Sequence, residues 1–362
     1  VIDAAEAIRN EEEIPLPNGN GQIGTRLPKY QARDLVLGQH EYVDDIRLEG
    51  MKHAALKFSD HPRARVLSID TEAAGQLPGV IRIFTAADVP GQRSMGSIRR
   101  DWPIMIAPGE TTRYIGDVLA GVVAETEDIA RQAATLIVID YEILDPITDV
   151  FEAMAEDTPS IHEDGNILSK TVTSRGEVTE ARTKSPYVAK GSFQTQRIEH
   201  GYMEPEVAIA NPQEGGITLL SQSQGIYDDR HQVADLLGLS EKNVRVTLVP
   251  NGGGFGGKED LTVQGHAAMM AYLLGVPVKV RLTRDESIMM HPKRHPIWMD
   301  YEIGCDDLGK LTFVKVSFVG DTGAYASVGM KVLERSAGHA TGAYHFPVTD
   351  VEATAVYTNN IP

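Results

Sequence analysis

The chain has 362 residues, 42% of them hydrophobic, which predicts two domains, each with a sizeable core. A net charge of −17, from 34 basic and 51 acidic residues, argues against a nucleic-acid surface, and the one dense basic patch, from His291 through Lys293 and Arg294 to His295, is short. The lone cysteine, Cys305, excludes a disulfide framework and a cysteine-ligated zinc or iron–sulfur site within this chain, and no apolar run reaches the roughly 18 residues of a membrane span.

In chain order, residues 1–26 read as a short acidic helix and then a linker, PLPNGNGQIG. The acidic start lacks the basic and apolar regions of a signal peptide, and with the single cysteine this predicts a cytoplasmic, reducing compartment. Residues 27–155 alternate strand-like runs (53–59, 64–70, 80–85, 117–125, 134–141) with helical stretches at 71–76 and 127–133, the second with Thr126 as N-cap. Mixed runs of this kind predict an α/β or α+β domain. Residues 145–190 are acidic and punctuated by proline, and read as a loose surface connector.

Beyond 190 the pattern is strand, helix, strand. Strands are predicted over 217–222 and 244–249, around a helix over 228–237 that Gly238 ends. A glycine-rich turn follows, then a helix from about 260 to 274, a strand over 278–283, and a hairpin of 298–303 with 311–319 across Asp306-Asp307-Leu308-Gly309-Lys310. Cys305 falls where the hairpin strand meets its turn and reads as a small strand residue.

The turn runs from Val249 to Asp260 and holds five glycines, at 252, 253, 254, 256 and 257. Without Cβ atoms, backbone can approach a ligand closely and adopt positive φ, and a following helix would aim its free N–H groups at the turn. That predicts a cradle for an anionic or oxo-bearing group. The spacing Gly252 to Gly257-Lys258 matches a P-loop, but Glu259 stands where a magnesium-binding Ser or Thr belongs. A dinucleotide fingerprint remains open on glycine density alone. A purely structural turn would explain one or two glycines, not five around Phe255 and Lys258-Glu259.

The segment resembles the GGGFGGKE motif of the xanthine dehydrogenase and aldehyde oxidase family of molybdenum hydroxylases. Further segments match in order: Glu199-His200-Gly201-Tyr202-Met203-Glu204-Pro205, Ser221-Gln222-Ser223-Gln224, Leu333-Glu334-Arg335-Ser336, and Thr358-Asn359-Asn360-Ile361-Pro362. Residues 27–155 resemble the small domain that precedes the family's cofactor domain, through YVDDI, HPRARVLSIDTEAAGQLPGV and YIGDVLAGVVAET. The resemblance covers nearly the whole chain from about residue 25.

The resemblance implies an α+β fold: a hammerhead-type α/β domain over 27–155 and the first part of a molybdopterin-binding domain over 156–362. It implies a molybdenum-pyranopterin cofactor whose metal takes no protein side chain as ligand; His291 and His295 then read as structural. Gln224 would donate its amide to the molybdenum oxo group, and the backbone of Gly254, Phe255 and Gly256 would lie against the cofactor. Glu259 and Arg335 would face opposite ends of a purine, which points to xanthine, hypoxanthine or a similar N-heterocycle; an aldehyde or aromatic substrate is the alternative within the family. Asp228 departs from the lysine that many animal members carry four residues after the glutamine.

The family's cofactor domain continues past the Asn-x-Pro segment, and its general-base glutamate comes later. The resemblance therefore implies that the rest of the molybdenum domain is a partner and that this piece alone binds cofactor weakly or not at all and turns nothing over. The start of the chain resembles the helix that closes an iron–sulfur domain, so [2Fe–2S] clusters, and FAD, are expected on other domains or subunits, in an assembly that is commonly a homodimer.

Overall fold

The structure is a computed structural model, and it describes Lys29 and residues 31–362; the linker expected over 1–26 lies outside the described residues. The chain divides into two compact units, one ending at Ile46 and one spanning Arg47–Pro362. The described part of the first carries the short helix Ala32–Val36 and a single 3-10 turn, Val43–Asp45, where the Tyr42 N–H donates to Asp45 Oδ2 at 2.9 Å.

The second unit is built on a seven-stranded mixed sheet. Its strands run in the order Val244–Leu248, Gly216–Ser221, Val207–Gln213, Val278–Arg281, Lys52–Phe58, Val118–Ala124, Val80–Thr85. Val118–Ala124 reads VLAGVVA and is buried throughout, as a strand covered on both faces must be. The helix Val263–Leu274 packs on this sheet with its first nine residues buried. Ala267, Ala268 and Ala271 let it lie close, and its two buried polar side chains are satisfied, Gln264 by the Thr262 N–H and His266 by the Thr262 and Ile104 carbonyls. The helix Glu127–Thr135 starts as predicted: Thr126 accepts the Ile129 N–H at 3.3 Å, and Ala130, Ala133 and Ala134 are buried.

The sheet crosses residue 155: Lys52–Phe58 pairs in parallel with Val278–Arg281, so the two predicted regions share one hydrogen-bonded layer. A three-stranded sheet (Thr111–Thr112, Ala64–Asp70, Val138–Ile143) and a two-stranded one (Ser94–Met95 with Trp102–Pro103) complete the first region.

A five-stranded sheet forms the other main layer, in the order Tyr187–Gln194, Ile297–Cys305, Leu311–Gly323, Val348–Tyr357, Ile167–Arg175. Here the loose connector expected over 145–190 is corrected: it supplies both edge strands of this sheet and two short helices, Val150–Ala153 and Val178–Lys184. The edge strands bury little, and ILSKTVTSR is rich in Ser, Lys and Thr, so they lack the hydrophobic alternation that marks a half-buried strand. The predicted hairpin is present and longer than expected. Asp306 Oδ1 accepts the N–H groups of Leu308 and Lys310, each at 2.9 Å, Gly309 turns at φ 77°, and Cys305 sits half-buried at the strand end.

Candidate active site

The strands Gly216–Ser221 and Val244–Leu248 are parallel neighbours, so the chain leaves both at the same end of the sheet. That topology brings Gln224 beside the glycine turn. The Gln224 N–H donates to the Lys258 carbonyl at 2.8 Å, and Oε1 accepts the N–H groups of Gly256 (2.9 Å) and Lys258 (3.3 Å). Two backbone donors fix which end of the amide is oxygen, so the orientation is not arbitrary. Nε2, on an exposed side chain, makes no hydrogen bond among the described residues and remains an available donor.

Gly253 and Gly256 hold φ 106° and 91°, which favour glycine, and a Cβ on Gly254 would stand 2.4 Å from Gln224 Oε1 and push that side chain aside. Between them Phe255 is held at φ 54°, a conformation that costs a non-glycine residue energy, with its ring 75% exposed.

One expectation fails here. The helix after the turn starts at Val263, not about 260, so its positive end does not cap the cradle. The turn N–H groups of residues 256 and 258 are instead satisfied by Gln224, and the segment between Lys258 and the helix is irregular. A P-loop, which needs a helix opening directly from the turn, is thereby removed.

Beneath the turn lies a buried polar layer that sequence reasoning missed. Lys258, only 2% exposed, donates from Nζ to the Glu204 carbonyl (2.7 Å) and to the Gln222 side chain, and sits 4.5 Å over the Tyr202 ring. Burial lowers its pKa to about 8. Glu204 Oε2 accepts the Gly252 N–H at 2.6 Å, and Tyr202 donates to Glu206, whose carboxyl is pushed up by burial. Glu199 pairs with Lys293 (2.6 Å) and lies 3.0 Å from the Nε2 of His291, whose pKa burial lowers to about 4. The signal that could have revealed this layer is the density of ionisable residues from Glu199 to Glu206, three glutamates with a histidine and a tyrosine.

Above the turn opens a cavity of about 750 Å³. Phe255, Gly256, Glu259 and Arg335 all line it, with Lys293 and His295. Residues 76 positions apart, Glu259 and Arg335 (335 − 259), thus face one space. Arg335 is exposed in the last turn of the helix Gly329–Gly338, and among the described residues it has no carboxylate within 4.0 Å. Gln224 and Gly254 do not line the cavity, although Gln224 holds the Gly256 N–H of the turn that does. His295 is 5% exposed, its Nε2 has no hydrogen-bond partner, and burial lowers its pKa to about 4, so it is a neutral wall of the cavity. Asp228 lies exposed in the first turn of the helix Ile226–Leu237.

Residues 161–362 match the family model of the molybdopterin cofactor-binding domain, and residues 37–145 match that of the aldehyde oxidase and xanthine dehydrogenase a/b hammerhead domain. The chain belongs to the molybdenum hydroxylase family. It is 37% identical to a probable xanthine dehydrogenase subunit of Bacillus subtilis, over 91% of this chain and 44% of the relative. It is 35% identical to the nicotinate dehydrogenase large molybdopterin subunit of Eubacterium barkeri, over 93% of this chain and 79% of that subunit. The aldehyde oxidoreductase of Desulfovibrio gigas superposes with a TM-score of 0.92 at 27% identity, covering 99% of this chain and 42% of that one. The chain thus spans less than half the length of two of these three molybdenum hydroxylases. Its fold is a hammerhead domain with a molybdopterin-binding domain, and members of its family are oxidoreductases. No helix among the described residues is long and apolar enough to cross a membrane.

Proposed function

We propose that this chain supplies one wall of a molybdenum hydroxylase active site that oxidises a purine or a related N-heterocycle with water as the oxygen source. The observation that carries this reading is that Glu259 and Arg335 line the same cavity as the Phe255-Gly256 turn. What supports a fit to a molybdenum-pyranopterin is a backbone turn in which Gly253 and Gly256 hold positive φ and a Cβ at Gly254 would displace the Gln224 side chain, beside an amide whose oxygen is already engaged and whose Nε2 is free to donate. When bound, the cofactor supplies the two-electron oxidation of the ring carbon. Gln224 would hold that group through its Nε2 donor, and the backbone at Gly254, Phe255 and Gly256 would lie against it.

Glu259 holds or moves a proton at a ring nitrogen. Arg335 stabilises the negative charge that develops at the far end of the ring, where a guanidinium can make two parallel hydrogen bonds. The remainder of the molybdenum domain, iron–sulfur and flavin partners, a homodimeric assembly, a cytoplasmic location and the division into regions 27–155 and 156–362 belong to the same proposal. An aldehyde or another aromatic ring is the second reading, favoured by the likeness to an aldehyde oxidoreductase; the likeness to a nicotinate dehydrogenase subunit supports an N-heterocycle other than a purine within the first.

The test is a panel of xanthine, hypoxanthine, nicotinate and benzaldehyde on the assembled enzyme, wild type against Glu259→Ala. Loss of about 100-fold or more in kcat/KM on the purines, with aldehyde oxidation spared, is expected. Purine oxidation unchanged in the variant, or no purine oxidation in the wild type, contradicts it.

A further inference from the structure

A second cavity, of about 760 Å³, lies away from the glycine turn and is lined by six arginines: Arg63, Arg65, Arg93, Arg99, Arg100 and Arg113. In a chain with 17 excess negative charges, this concentration of one residue type is unexpected. Three of the six are neutralised locally. Arg93 Nη1 donates to Glu110 at 3.0 Å, Arg99 pairs with Asp164, and Arg100 pairs with Asp235.

The others are not. Arg65 approaches Glu142 only to 3.7 Å, with both side chains more than half exposed, a geometry worth little. Arg63 donates from Nη1 to the Asp145 carbonyl (3.0 Å), and Arg113 from Nε to the Ile161 carbonyl (3.0 Å) with its guanidinium 5.7 Å over the Tyr325 ring. Neither has a carboxylate within 4.0 Å among the described residues; Asp117 and Asp101 act on Arg113 only from further away, alongside the Tyr325 hydroxyl.

The carboxylates of the lining do not balance them. Glu110 and Asp164 are taken by Arg93 and Arg99. Asp101 Oδ2 accepts the Ala326 N–H (2.9 Å) and the Tyr357 hydroxyl (2.6 Å), its Oδ1 is buried without a hydrogen bond, and burial raises its pKa, all of which weaken it as a counter-ion. Glu163 is exposed at the rim. A half-buried guanidinium with spare N–H groups is costly unless an anion meets it, and its planar fork matches phosphate oxygens two at a time.

We propose that this cavity is a binding site for a small polyanion carrying at least two phosphate groups, held by Arg63, Arg65 and Arg113. The volume suits a ligand of pyrophosphate to nucleotide size. The site is independent of the glycine turn and of the substrate reading above.

The experiment is titration calorimetry on the full chain with pyrophosphate, inorganic phosphate, ADP and a ten-residue glutamate peptide, at about 50 and about 200 mM salt. Saturable binding of pyrophosphate or ADP is expected. It should weaken at the higher salt and fall about tenfold or more in Arg63→Ala/Arg65→Ala, of which Arg65 is exposed and Arg63 half-buried. ADP binding tighter than pyrophosphate would assign a nucleotide as the source, and the reverse a free polyphosphate. An unchanged affinity in the double variant, no saturable binding of any phosphate, or binding of the glutamate peptide alone overturns the proposal. If the double variant unfolds, Arg65→Gln, on an exposed side chain, replaces it and must still weaken pyrophosphate binding.

Discussion

Two regions of the larger unit are both buried and are held by opposite means. Under the helix Val263–Leu274 the core is aliphatic: Met269, Met270, Leu236, Val278 and Val280 touch one another with almost no exposure. Under the glycine turn the interior is polar: Lys258, Glu204, Glu206, Tyr202, His291 and Lys293 are linked by hydrogen bonds and charge contacts, with the part-exposed Glu199 at their edge. The first region is held by area and tolerates swaps of similar volume. The second is held by specific donors and acceptors, so losing one partner strands another. The turn that holds Phe255 at φ 54° rests on the second kind of support, through Glu204 at the Gly252 N–H and Lys258 beneath it.

Three substitutions would break or sharpen this contrast. Lys258→Met keeps the volume but strands Gln222 and the Glu204 carbonyl; a loss of about 3–5 kcal/mol is expected in urea unfolding. Met270→Ala, in the aliphatic region at 0% exposure, should cost about 2–4 kcal/mol and leave the turn intact. If Lys258→Met were as stable as wild type, the polar layer would not be what supports the turn.

The third concerns pH. Asp260 is buried, accepts a hydrogen bond from the Ser327 hydroxyl, and is raised by burial from 3.8 to about 6. Between pH 3.8 and about 6 the folded form holds a proton that the unfolded chain has released, so this group makes stability fall as pH rises through that window. Asp260→Asn should flatten that part of the stability profile relative to wild type. An identical slope in the variant would show that Asp260 ionises in the folded state as it does in the unfolded one.

The same contrast explains how far the sequence is legible. The aliphatic strands and helices are legible, because a continuous run such as Val118–Ala124 or a Thr126-capped helix carries its own signal. The edge strands Ile167–Arg175 and Tyr187–Gln194 are not, since polar, exposed edges look like loops. In the site, the glycines and Gln224 are legible as residue types, and the structure brings Gln224, Phe255 and Gly256 together. The role of Lys258 is not legible, because its partners come from separate segments that only the fold assembles. The arginine-lined cavity is invisible for the same reason: Arg63 and Arg113 stand fifty positions apart (113 − 63) with no shared motif.

The central claim is that the turn's geometry, set by Gln224 against a Cβ-free Gly254, is what holds the cofactor. Metal analysis of the assembled, folded protein tests it most directly, comparing molybdenum per protein in wild type and Gly254→Ala. The added methyl would sit 2.4 Å from Gln224 Oε1 and push that amide off the Gly256 and Lys258 N–H groups, so the variant should lose most of its molybdenum while keeping its cooperative unfolding. Full molybdenum retention in a folded Gly254→Ala protein would contradict the account.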